Sequence, residues 1–199
     1  MSTTIPELYQ HDQFLASKKV FKLMGGAFHL RTMDGKLLAY SNQKAFKLKE
    51  DIRVFADEAM KQELLYIQAD RVLDMSASYK VVDSQTGEHI GSLRRKGWSS
   101  MLRDSWEICD AQGNVRGKVL EDSSWKALVR RLHELASILL PQAFLLQVDG
   151  QTVATMKQNY FAFAPKFHVD LSQDSDGRLP RPLAIATVIL LLAIEGRQG

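Results

Sequence analysis

The chain has 199 residues, 45% of them hydrophobic and 25% charged, the proportions of one ordinary globular domain or at most two small ones. Its 26 Lys and Arg against 23 Asp and Glu leave a net charge of +3, a basic excess too weak to point to nucleic acid. Cys109 is the only cysteine, which excludes an intramolecular disulfide and a paired-thiol metal site.

The opening MSTTIPELYQHDQF lacks the charged-then-apolar order of a secretory signal, so a cytoplasmic location is the expectation. Residues 1–16 read as an N-terminal arm and 17–199 as a single domain, since no Pro/Gly/Ser-rich linker or low-complexity tract interrupts them. From Lys19 to Leu171 the chain consists of short apolar runs separated by turn chemistry. Asp34-Gly35, Asp149-Gly150 and Asp176-Gly177 are pairs that relax into positive φ, and longer turns fall at Asp83 to Gly87 and Asp110 to Gly113. Between them, residues alternate with period two. Phe28 and Leu30 alternate with His29 and Arg31, Val115 and Val119 flank Arg116 and Lys118, and Phe167, Val169 and Leu171 alternate with Lys166, His168 and Asp170. Strands with one buried and one wet face have this pattern. About a dozen such strands joined by tight connections predict an antiparallel, mainly β architecture rather than a parallel sheet.

Two segments depart from the alternation. Over 123–140, Trp125, Leu128, Val129, Leu132, Leu135, Ala136 and Leu139 follow helical spacing, with Lys126, Arg130, Arg131 and Glu134 on the other side; this predicts an amphipathic surface helix ended by Pro141. Over 182–195, Pro182 suits a first helical turn, and from Leu183 to Ile194 only Thr187 is polar. A helix apolar on all sides lies in a membrane or inside protein. Twelve residues at 1.5 Å rise reach about 18 Å, against roughly 30 Å of hydrocarbon. Arg181 on one side and Glu195 and Arg197 on the other make extension costly. Burial inside protein is the prediction, with no transmembrane span. A closed sheet of about a dozen strands leaves a lumen that needs filling, and an oily rod fills it.

The stretches Lys19-Val20-Phe21-Lys22-Leu23-Met24-Gly25-Gly26 and Ala45-Phe46-Lys47-Leu48-Lys49-Glu50-Asp51-Ile52 resemble the LURP-one-related family of the tubby-like superfamily, which also includes the phospholipid scramblases. Ser92-Leu93-Arg94-Arg95-Lys96-Gly97, Arg103-Asp104-Ser105-Trp106 and the closing apolar helix resemble it too. The resemblance runs from about Tyr9 onward and implies a twelve-stranded barrel around a hydrophobic C-terminal helix. The tubby branch implies binding of phosphoinositide headgroups, and the scramblase branch implies membrane association with a calcium motif before the last helix. Here Asp170, Asp174 and Asp176 stand in a comparable place, but Arg178 and Arg181 intrude, and an EF-hand register begun at Ser172 ends on Leu183 instead of Glu. A tight turn is the reading that fits Asp174 to Gly177.

Catalytic and metal chemistry find little support in the motifs. The chain has no Gly-x-Ser-x-Gly elbow and no Walker-type loop, and its five histidines are scattered. Cys109, in an alternating stretch with Trp106, reads as a small buried hydrophobe. No residue earns a catalytic or metal-binding assignment, and no cofactor is implied. The positive signal is basic. Arg94, Arg95 and Lys96 beside Trp98, together with Arg130 and Arg131, suit an anionic phospholipid or phosphoinositide headgroup; Lys18 and Lys19 form a further basic pair. A regular strand sends Arg94 and Arg95 to opposite faces, and the one turned into the barrel then needs a carboxylate such as Asp104 or Glu107. The sequence thus predicts a non-enzymatic, cytosolic binding or scaffold module whose partner is an anionic headgroup or a protein. The alternatives are a scramblase-like membrane-associated protein and an enzyme with a cleft at the barrel rim.

Overall fold

The computed structural model describes residues 5–21, 25–43, 51–69, 78–95, 106–122, 142–159 and 166–194. The expected surface helix over 123–140 lies outside them. Twelve strands run β1 (Gln13–Phe21), β2 (Gly25–Arg31), β3 (Leu37–Gln43), β4 (Ile52–Phe55), β5 (Glu63–Ala69) and β6 (Ser78–Asp83). They continue as β7 (His89–Arg95), β8 (Trp106–Asp110), β9 (Val115–Glu121), β10 (Ala143–Val148), β11 (Gln151–Gln158) and β12 (Lys166–Asp170). A short helix α1 (Glu7–Gln10) precedes them and a helix α2 (Arg181–Ile194) follows.

Every strand pairs antiparallel with its neighbours in sequence, and β12 returns to pair with β1, so the sheet closes into an up-and-down barrel. Closure gives each described strand a neighbour on both sides, which blunts the edges that recruit another chain. The turn chemistry acts as the sequence suggests. Gly35, Gly87, Gly113 and Gly150 all have positive φ, and Asp149 joins Gly150 there in a two-residue hairpin turn. Each of these four hairpins also shifts register beside its turn, at Leu30/Arg31, Val81/Val82, Ile108/Cys109 and Leu146/Gln147, and the β4–β5 pair does the same at Val54/Phe55. Bulges at a barrel rim increase local twist and help the sheet curve shut.

Alternation sorts the strands into a lumen face and an outer face. On β1, Phe14, Ala16 and Lys18 are buried, and on β2 their lumen-facing partners Phe28 and Leu30 are buried with them. Phe167 and Val169 are buried on β12, as predicted, and Leu171 just beyond it. Val115 departs from expectation: it is 52% exposed, because the shift that pairs Cys109 with Val115 places it at the strand end just past the Asp110–Asn114 turn. The wall also begins earlier than the expected arm boundary. β1 starts at Gln13, opposite Asp170, and Leu8 of α1 joins the core at 1% exposure.

Helix α2 fills the lumen. All residues from Leu183 to Ala193 are 5% exposed or less, and they pack in one cluster with the inward residues of the strands. Burying each Leu or Ile there is worth about 1.5–3 kcal/mol relative to exposure. Thr187, the one polar member, donates its hydroxyl to the Leu183 carbonyl at 2.8 Å and so adds no unpaired group. Among the described residues, no helix is long and apolar enough to cross a membrane.

Candidate functional site

Arg94 and Arg95 sit at the end of β7. In the ladder with β8, Leu93 pairs with Ile108 on the lumen side, Arg94 pairs with Glu107 on the outer side, and Arg95 pairs with Trp106 on Leu93's side. The two arginines are therefore on opposite faces. Of the two carboxylates named from sequence, Glu107 lies among the described residues, 3.7 Å from Arg94 Nη1. It faces the outward arginine, and the inward one's expected carboxylate is not decided by this pair. The reason is geometric: directly cross-strand residues share a face, and Glu107 is opposite Arg94. Arg94 also reaches the Cys109 sulfur at 3.6 Å, and Cys109 is fully buried. Lys96, Arg130 and Arg131 lie outside the described residues, as does Asp104.

Lys18 and Lys19 part in the same way. Lys19 is exposed on the outer face, whereas Lys18 is 7% exposed inside the barrel. Its ammonium donates to the carbonyls of Leu192 and Ala193 at 3.3 and 3.5 Å and lies 5.9 Å from the Phe28 ring centroid. A helix end exposes carbonyls without intrahelical partners and a partial negative charge, so a buried cation there is favourable. Lys18 is thus a structural group and not part of a basic surface.

The acidic segment before α2 is built as a turn. Asp174 accepts the backbone N–H of Arg178 at 2.8 Å on one carboxylate oxygen and that of Leu179 at 3.0 Å on the other. Its own carbonyl accepts the Gly177 N–H at 3.2 Å, with Gly177 at φ 64°. Asp176 pairs with Arg178 at 2.9 Å, which holds its carboxyl below the ordinary range together with Ser175. Asp170 accepts from both the amide and the hydroxyl of Ser172 and from Gln13. Every carboxylate of the trio is engaged by its own chain. Among the described residues, no three His, Cys, Asp or Glu side chains gather as metal ligands.

One ionisable group gave no sequence signal as anything but a wet-face residue. His29 alternates with Phe28 and Leu30, yet it is 4% exposed. Its Nε2 lies 3.3 Å from Glu58 in the β4–β5 connection, and its ring meets Tyr40 edge-on at 5.2 Å. Burial, with Lys19 and Arg31 nearby, pushes its pKa below the ordinary histidine value, against the pull of Glu58.

No family model matches the sequence, and no curated protein matches it. Among solved structures, the fold is similar to the X-ray structure of a protein from Arabidopsis thaliana, with a TM-score of 0.51 and 13% sequence identity. The similarity covers 93% of this chain and 92% of the plant protein. At that identity the likeness is one of fold, and it extends over almost the whole of both chains.

Proposed function

We propose that this barrel is a non-enzymatic binding or scaffold module of the LURP-one-related kind within the tubby-like superfamily, meeting anionic phospholipid headgroups from the cytosolic side with its outer wall. The filled lumen carries the reading. Barrels of this width commonly keep a ligand cavity or channel inside, but here α2 occupies that space with residues from Leu183 to Ala193. Recognition then falls to the outer wall and the rims. The motifs quoted above and the end-to-end fold similarity to the plant protein support the kinship. Arg94 supports the ligand class: it is 42% exposed on the outer wall, and its 3.7 Å approach to Glu107 is looser than a bidentate pair.

Sedimentation with vesicles tests this. Vesicles of phosphatidylcholine containing phosphatidylserine or phosphatidylinositol bisphosphate should carry the protein down at low salt. Binding should weaken as ionic strength passes about 0.15 M, where the screening length is about 8 Å. Arg94→Glu should weaken it several-fold. Equal binding to pure phosphatidylcholine, or none to any vesicle at low salt, overturns the headgroup reading. A protein partner is the second reading, and the opposed faces of Arg94 and Arg95 favour it, because they do not present one phosphate-binding fork.

A further inference from the structure

Alternation places His29 outward, since its lumen-side neighbours Phe28 and Leu30 pair with Lys18 and Ala16, and its own cross-strand partners are Ser17 and Tyr40. An outward residue buried to 4% exposure must be covered from outside. Residues 56–62, which join β4 to β5, supply a cover. Glu58 Oε1 sits 3.3 Å from His29 Nε2 and 3.7 Å from Arg31 Nη2. Within the connection, Ala56 N–H donates to the Gln62 carbonyl at 2.9 Å and Met60 N–H to that of Asp57 at 3.1 Å.

This cover is held under tension. Met60 adopts φ 55°, a left-handed conformation unusual for its side chain, and keeps 45% exposure despite being apolar. The Asp57 Oδ1 oxygen is buried without a hydrogen-bond partner. Against these costs stands the grip of Glu58 on His29 and Arg31.

That grip depends on protonation. Nε2 lies at ion-pairing distance from the Glu58 carboxylate, and Nδ1 is a buried nitrogen with no partner. Adding a proton turns Nδ1 into a buried donor with no acceptor and puts a third cation beside two others. The groups facing the ring are Lys19 from β1, Arg31 from β2, the phenol ring of Tyr40 from β3 and Glu58 from the connection. Glu58 favours the added charge, but burial and the two cations outweigh it.

We propose that residues 56–62 are a proton-released flap, seated on His29 through Glu58 while the imidazole is neutral and lifted when it takes a proton, so that acid uncovers the outer face of β2 and β3. Lifting unfolds the flap, opening its Ala56–Gln62 and Met60–Asp57 hydrogen bonds, hydrates the ring and returns its affinity for protons toward the ordinary histidine value. The open form therefore binds a proton at a pH where the closed form does not, and opening grows as pH falls. With one proton linked, the opening constant rises by up to about tenfold per pH unit below about pH 6.5 until the closed ring itself titrates.

Amide hydrogen exchange of the whole protein between pH 5 and 7.5, corrected for intrinsic rates, reads this directly. The opening constants of the Ala56 and Met60 amides should climb as pH falls, while amides in the β10–β11 ladder stay level. His29→Gln should remove the climb. An NMR titration of the wild-type imidazole gives a second reading that needs no variant, with His29 titrating below 6.5. A level response at Ala56 and Met60, an equal climb in His29→Gln, a barrel-wide climb, or a His29 titration at or above 6.5 each overturns the proposal.

Discussion

The ammonium of Lys18 lies 3.3 Å from the carbonyl oxygen of Leu192, joining the first strand of the wall to the last turn of the helix inside it. The two residues are 174 positions apart in sequence. One end of the helix is thus secured by a charge from the wall, and the other by the Asp174 turn that leads into it. The stopper is fixed at both ends as well as packed along its length.

Replacing Lys18 with Met keeps much of the aliphatic stem but removes the donor. The carbonyls of Leu192 and Ala193 then remain buried with one partner fewer, and the cost expected is about 1–3 kcal/mol. Lys19→Met, on the exposed neighbour, should stay within about 0.5 kcal/mol. Urea midpoints of the two variants, measured at equal m-value, check the contrast. Equal loss in both would show that the buried lysine contributes no more than a surface one.

The sequence made the wall and the stopper readable, and the reason is that both are written locally. Asp34-Gly35 and Asp149-Gly150 mark hairpin turns whatever surrounds them, because only certain residues tolerate positive φ. The apolar run from Leu183 to Ile194 needs cover wherever it lies. Lys18 and His29 were opaque for the opposite reason. Which of two adjacent lysines faces inward depends on the register of β1 against its neighbours, and where the helix end meets that register is a property of the closed barrel. His29 looks like a wet-face residue because the group that covers it, Glu58, arrives from two strands further on. Glu107 falls between these cases. Its role as an arginine partner was legible from strand neighbourhood, but that it stands opposite Arg94 required the ladder.

The Asp174 carboxylate separates a turn from a calcium ligand. Both of its oxygens accept backbone N–H groups, and Leu179, one of those donors, is 4% exposed. Asp174→Ala should cost about 1–3 kcal/mol by leaving those donors without their acceptor. Millimolar calcium should leave the melting temperature of the native protein unchanged, since a ligand raises it only by binding the folded state. Calorimetry with and without calcium measures both effects. A melting temperature that climbs and saturates with calcium would return the segment to a metal-binding role.

Gly91 tests how closely the stopper fits its barrel. A Cβ built there would stand 2.5 Å from the Cys109 carbonyl oxygen and 2.9 Å from Leu183 Cδ2. The first contact is with backbone of the paired strand and the second with α2, so one added methyl presses on the wall and the helix together. Gly91→Ala should therefore destabilise the fold by about 1–3 kcal/mol, the usual range for overpacking. Leu183→Ala alone should cost about 2–5 kcal/mol through lost burial and a cavity. Combined, the two should cost less than their sum, because the truncated leucine no longer opposes the new methyl; a coupling of about 0.5–3 kcal/mol is typical of residues in contact. The backbone clash with Cys109 should persist, so the relief will be partial. Strict additivity in denaturant melts of the four-member cycle would mean that β7 and α2 do not touch at Gly91, and the close fit of helix to wall would be lost with it.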